Sequence, residues 1–219
     1  MNITAKIINN PLVLLYINKG NDFLAARGTI QLGYEHAKIV SERSRYLLEE
    51  LGYSDREADL AEVAGFLHDI GNLANRYDHG RTGALICYKL LTQLKMPLED
   101  ILTVMSAVGN HEETTGYAVN NTAAAVIISD KTDLHQDRVR KKDFSQFTGR
   151  DRVNYAVTES VLEVCKKSRS IILEIKINQS ICSVMEYFEI FLTKMLMCQR
   201  AAGALNSNFK LIINDVRLL

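Results

Sequence analysis

Apolar residues recur at helical spacing through the first two-thirds of the chain and at alternate positions in the last third. Between Tyr34 and Leu51, Val40, Leu47, Leu48 and Leu51 share one face, and Gly52 stops the segment. Ser54 with Glu57 three residues on forms a capping box that opens a second helix. Leu60, Ala64 and Leu67 are its inner stripe, and Gly71 ends it, which puts His68 and Asp69 in the last turn. A third helix is predicted from about Arg81 to Leu94. A fourth carries Pro97 in its first turn and ends near Gly109. A fifth runs from about Thr122 to Val139 and opens on the apolar stretch Ala123 to Ile128. Upstream, the apolar run Pro11 to Ile17 is too short to cross a bilayer and reads as a buried helix closing over the core.

The pattern changes after Gln136. Arg138 to Asp143 is charged and Gln146 to Arg152 is polar. Val153, Tyr155 and Val157, then Val161, Glu163 and Cys165, follow a strand-like alternation. Lys166 to Arg169 reads as a turn, and Ile171, Leu173, Ile175 and Ile177 complete a β-hairpin. A long helix from about Ser180 to Leu205 follows, with Met185, Phe188, Leu192, Met195 and Leu196 as a stripe expected to pack on the strands. Phe209, Leu211 and Ile213 suggest a last strand. The expected fold is mainly α: a helical bundle over residues 1–145, and a small α+β unit of hairpin, long helix and final strand over residues 146–219.

Composition narrows the function classes. The 219 residues include 26 basic and 26 acidic side chains, so formal charge is zero and the chain is a poor match for nucleic-acid polymers, which require clustered cations. No segment suggests a membrane partner. The four cysteines, Cys87, Cys165, Cys182 and Cys198, lack any short paired spacing, and reduced thiols in a cytosolic, cytoplasmic protein are the simplest reading.

The candidate chemistry lies in the histidines. Of five in the chain, His68 is followed directly by Asp69, with His36 upstream, His79 and His111 downstream, and Asp130 on a later apolar segment. Imidazole nitrogen with carboxylate oxygen suits a divalent transition metal, here iron, manganese, nickel or zinc. The ligands come from several helices, so the site forms only when the bundle folds. A bland reading stands beside this one: buried, hydrogen-bonded polar groups, and for His79 a solvated loop histidine. His135 falls off the Asp130 face and is expected at the surface or a pocket rim. Asp133 is a candidate second-layer partner that orients a ligand histidine.

The order His36, His68-Asp69, Asp130 resembles the HD-domain metal-dependent phosphohydrolases over about the first 140 residues. That resemblance implies an all-helical core and a divalent metal held by the matching residues. His79 and His111 are similar to the extra ligands of binuclear HD proteins, in which the Asp of the pair bridges two metals, so one or two metals per chain are implied. The run His111 to Tyr117 is similar to the HD-GYP signature, with Asn110 in place of its doubled histidine and Ala118 in place of its proline; Asn72 stands where many HD enzymes have lysine. These departures argue against cyclic-dinucleotide cleavage.

The implied activity is hydrolysis of a small phosphorylated substrate, a phosphomonoester or phosphodiester such as a nucleotide, by metal-activated water. Asp69 is the expected catalytic carboxylate, Lys131 a catalytic and substrate-binding cation, and Arg76 and Arg81 further substrate contacts. Two other readings remain open: a di-iron oxygenase of HD type, and a non-catalytic, metal-stabilised regulatory module that binds a partner. Leftover apolar surface on the C-terminal unit offers a route to a homodimer.

Overall fold

The computed structural model describes residues 3–219. Helices α1 (Ile3–Ile8) and α2 (Pro11–Ala26) lead the chain. The Asn10 side chain accepts from the N–H groups of Leu12 and Val13, and Pro11 takes the first helical position, where its missing N–H costs nothing. From the run Pro11 to Ile17, Val13 and Ile17 are buried, while Leu12 and Leu15 face solvent. Next come α3 (Tyr34–Glu50) and α4 (Asp55–Leu67), the latter opened by the complete Ser54–Glu57 capping box. The two pack so closely that a Cβ on Gly65 would stand 2.8 Å from the Val40 carbonyl oxygen.

A 3-10 turn (Ile70–Leu73) leads to α5 (His79–Gln93), then α6 (Leu98–Gly109) and α7 (Asn121–Lys131). Helix α5 starts two residues earlier than expected, so His79 belongs to its first turn and not to a loop; Asp78, in the left-handed region at φ 54°, makes the entry. Helix α7 stops at Lys131, eight residues short of Val139. The Thr132 hydroxyl donates back to the Ile128 carbonyl, and the chain then turns inward so that Asp133 meets His36 and Arg138. Residues Thr122 to Ser129 and Lys131 are all buried, because α3, α4, α6 and α9 surround the helix.

The C-terminal part opens with α8 (Gly149–Ala156), where a strand was expected from Val153. Thr148 and Asp151 form a second capping box that commits these residues to a helix. Strand β1 (Val157–Cys165) pairs antiparallel with β2 (Ser170–Ile177), as the alternation predicts. Helix α9 (Val184–Ala204) crosses back so that β3 (Asn208–Ile213) lies parallel to β2, and a short β4 (Val216–Arg217) closes the order β1-β2-β3-β4.

The expected stripe on α9 is not the buried one. Met185, Leu192 and Leu196 are exposed, whereas Tyr187, Phe191, Met195, Cys198 and Ala202 face inward; of the expected set Met195 is buried and Phe188 packs partly against the core. That face meets not only the sheet but also α7. One continuous apolar core joins Leu47, Leu48, Ala124 and Ile128 to Ile171, Leu173, Phe191 and Leu211. No helix among the described residues is long and apolar enough to cross a membrane.

Candidate metal centre

Adjacent residues inside a helix diverge, but α4 ends at Leu67, so His68 and Asp69 sit where the backbone leaves the helical path and can both face inward. His36 comes from the first turn of α3, His79 from the first turn of α5, His111 from just past α6, and Asp130 from the end of α7. Gly71 makes this convergence possible. A Cβ there would collide with the His79 carbonyl oxygen and lie 2.6 Å from the Gly83 nitrogen. The turn after His68-Asp69 is thereby held against the start of α5, and His79 is brought to Asp69.

Each of the four histidines has its Nδ1 against an acceptor. His36 Nδ1 lies 2.6 Å from Asp133 Oδ2, His68 Nδ1 2.7 Å from the Gly65 carbonyl, His111 Nδ1 2.7 Å from the Val108 carbonyl, and His79 Nδ1 2.9 Å from the Arg76 carbonyl. Acceptors fix the proton on Nδ1, so every neutral ring turns the Nε2 lone pair to the centre. The Nε2 atoms of His36 and His68 are buried and have no hydrogen-bond partner among the described residues. His79 Nε2 faces His111 Nε2 at 3.0 Å, a contact in which one ring donates to the other or, with both protons on Nδ1, two lone pairs face one point beside the Arg76 guanidinium. Orphaned acceptors around two carboxylates are the donor set of a divalent transition metal, so the residues fit the ion.

The carboxylates divide the cluster. Asp69 Oδ2 lies 3.7 Å from His36 Nε2 and 3.5 Å from His68 Nε2, and Asp130 Oδ1 lies 3.4 and 3.7 Å from the same two nitrogens. The other Asp69 oxygen, Oδ1, is 2.9 Å from His79 Nε2 and 3.8 Å from His111 Nε2. Two ligands of one metal stand about 3–3.5 Å apart when each bond is about 2.1 Å, so these spacings suit shared metal ligation after small shifts. Two overlapping groups, His36 with His68 and Asp130, and His68 with Asp69 and His111, have ligand atoms close enough to share an ion.

Electrostatics agree with a site built for cations. Burial lowers His68 to about 3, so its ring is neutral. Burial would raise the Asp69 carboxyl, but the His68 charge, hydrogen bonds from His111 and His79 when those rings carry their proton on Nε2, and the Arg76 guanidinium outweigh it and hold the group well below the usual carboxylate range, the part a bound cation would take over once the rings are neutral. Asp130 is held low in the same way, chiefly by Lys131 and His36. Burial and Arg138 lower His36, yet Asp130 and Asp133 overcome both and raise it.

A cleft of about 320 Å³ opens onto this cluster. Arg76 lines it, with Nη1 3.3 Å from Asp69 Oδ1 and 3.2 Å from Asn72 Oδ1. Buried Lys131 lines it too, with Nζ 2.5 Å from Asp130 Oδ2 and 3.2 Å from Glu113 Oε1. Arg81 is not brought in: it is 70% exposed, paired at 3.8 Å with Asp78, and absent from the cleft wall. His135 is half-exposed and apart from the cluster. Sequence reasoning missed Glu112, whose Oε1 accepts from the Gly80 N–H at 2.7 Å, and Glu113 and Lys194 on the cleft wall. The two glutamates follow His111 directly, a signal that could have marked them.

Comparison with protein families matches the HD domain over residues 33–146, a stretch that holds all six residues of the cluster. The chain belongs to the HD-domain family, which places it in a superfamily of metal-dependent hydrolases. Comparison with curated proteins finds no match.

Proposed function

We propose that this protein is a phosphohydrolase that uses two divalent transition-metal ions to cleave a small phosphomonoester or phosphodiester. The observation that carries this reading is the split of Asp69, with one carboxylate oxygen toward His36 and His68 and the other toward His79 and His111. His36, His68, Asp130 and Asp69 Oδ2 would hold one ion; His79, His111 and Asp69 Oδ1 would hold the other. Iron, manganese, nickel and zinc all suit this mixture of nitrogen and oxygen. Such ions, when bound, supply Lewis acidity and an acidified water.

The chain supplies the remaining charge. Phosphoryl transfer spreads negative charge over the phosphoryl oxygens, and fixed cations that need no reorganisation stabilise it. Lys131 is such a group: burial lowers its pKa, but Asp130 and Glu113 outweigh burial and keep the ammonium charged. Arg76 adds a guanidinium on the side of Asp69 nearest His79. Burial of the cluster keeps these charges in a poorly screened environment.

The test is elemental analysis of protein purified without added metal, together with turnover of an aryl phosphate with manganese or nickel supplied. Wild type should hold close to two transition-metal ions and turn over substrate, and Asp69→Ala should lose both properties. An Asp69→Ala protein with unchanged metal content and hydrolysis would sink the proposal.

A further inference from the structure

Lys194 is the one charged side chain of the cleft wall that comes from α9, beyond the segment that matches the HD domain. The residue is only 8% exposed, yet among the described residues its ammonium makes no hydrogen bond. Its nearest carboxylate oxygen, Glu113 Oε1, lies 3.9 Å away and is already engaged at 3.2 Å by Lys131. Beneath it is the Phe191 ring, with its centroid 4.4 Å from Nζ, which attracts a cation but accepts none of its conventional hydrogen bonds. Three N–H donors therefore stand at a cleft shared with Asp69, His79, His111 and Asp130. Lys131 is matched by Asp130, so Glu113, which it also engages, is the one carboxylate within 4 Å of Lys194 among the described residues, and the Lys194 ammonium opens onto the cleft with its donors unpaired by protein. Arg150, on the same wall, forms no ion pair among the described residues and adds to the excess of positive charge.

We propose that Lys194 binds a phosphate oxyanion of the substrate, making α9 part of the substrate site; this rests on the phosphohydrolase reading. An oxyanion supplies the acceptors the ammonium lacks. Burial brings Lys194 down to about 7, and an oxyanion in the cleft would raise it again by stabilising the ammonium. Lys194 is assigned to holding substrate and not to holding metal, because an ammonium has no lone pair to offer an ion and, among the described residues, its one ion pair is with Glu113, outside the six cluster residues.

The test measures binding of inorganic phosphate to the metal-loaded full chain by calorimetry at pH 6.5, and aryl phosphate turnover, in wild type, Lys194→Met, Lys194→Arg and the surface control Lys38→Met. Lys194→Met should bind phosphate about 10–100-fold more weakly, the size of one charged hydrogen bond. Its KM should rise in parallel, with kcat within a few-fold of wild type and metal content unchanged, and Lys194→Arg should recover part of the affinity. Unchanged phosphate affinity in folded Lys194→Met, or loss of metal along with affinity, overturns the proposal. A measurement on wild type covers the case in which the methionine variant fails to fold: acylation of Lys194 by a small anhydride, followed by peptide mass spectrometry, should slow when phosphate is added. No slowing at saturating phosphate refutes the assignment. Phosphate binding that depends on Lys194 in a protein without turnover would uphold this site and reject the hydrolase reading.

Discussion

Replacing Asp133 tests the idea that lone pairs are aimed at the centre from behind. Asp133 is not a member of the cluster, but its Oδ2 sits 2.6 Å from His36 Nδ1 and holds the proton that leaves Nε2 free. The same oxygen lies 3.3 Å from Arg138 Nη1, which also donates to the Asp133 carbonyl. Burial would raise the Asp133 carboxyl; Arg138, His36 and Arg43 outweigh it, so the group is an anion. Asparagine keeps the shape and one oxygen, yet removes the charge and allows the opposite tautomer, in which Nε2 carries the proton. Partners of this kind are worth about 10–100-fold in metal affinity, or about 1.4–2.7 kcal/mol. Asp133→Asn should fall near the lower bound and Asp133→Ala near the upper.

Both variants also strand the buried Arg138, at a folding cost of about 3–5 kcal/mol for a broken buried pair, so affinity must be separated from stability. Arg138→Met breaks the same ion pair and leaves the His36 contact in place. Competition against a metal chelator gives affinity, and urea denaturation of the metal-free proteins gives stability. Arg138→Met should lose stability and keep affinity within about threefold, while Asp133→Ala loses both. Equal metal affinity in wild type and Asp133→Ala would refute the reasoning.

Dialysis against a chelator should lower the melting temperature, because a metal held by residues from several helices would bind only the folded cluster; at a thousandfold excess over Kd the loss is about 4 kcal/mol for each ion held, read by calorimetry, and an unchanged melt would count against the centre. Gly71→Ala should destabilise by at least about 3 kcal/mol and reduce metal content, since the new methyl meets the backbone of His79 and Gly83, which cannot move aside singly. Lys194 gives a pH signature. Facing Glu113, Lys131 and Asp130, Arg150 and Cys198, it is lowered by burial from 10.5 to about 7, so between those values the unfolded chain binds the extra proton and stability rises with pH. The stability of wild type relative to Lys194→Met should therefore climb by up to about 1.4 kcal/mol per pH unit above neutrality, whereas a flat difference in urea titrations would show that the lysine is not desolvated.

The helices that carry the cluster were legible in sequence because their signals are local: Gly52, the Ser54–Glu57 box and the stripe of Leu60, Ala64 and Leu67 depend on neighbours a few residues away. The C-terminal stripe was not, because α9 is apolar on more than one side and only its docking on α7 chooses Tyr187 and Phe191 over Leu192 and Leu196. The early end of α7 is likewise a tertiary effect, set by His36 and Arg138 drawing on Asp133. Helix α8 was legible in principle, since Thr148 and Asp151 have capping-box spacing, but the alternation of Val153, Tyr155 and Val157 masked it. Arg81 and Lys194 show the limit for the site. Proximity in sequence to His79 put Arg81 forward although it faces solvent, and no spacing connects Lys194 to residues more than sixty positions away.

The burial of α7 on every side also orders events during synthesis. A chain halted at residue 146 has made all six residues of the cluster, but the side of α7 that faces α9 is still bare. Asp130 sits at the end of that helix, so its final position waits for α9 to emerge and dock. Metal captured by the nascent chain would meet an unfinished site. Metal is therefore expected to enter late, once α9 has emerged and docked on α7.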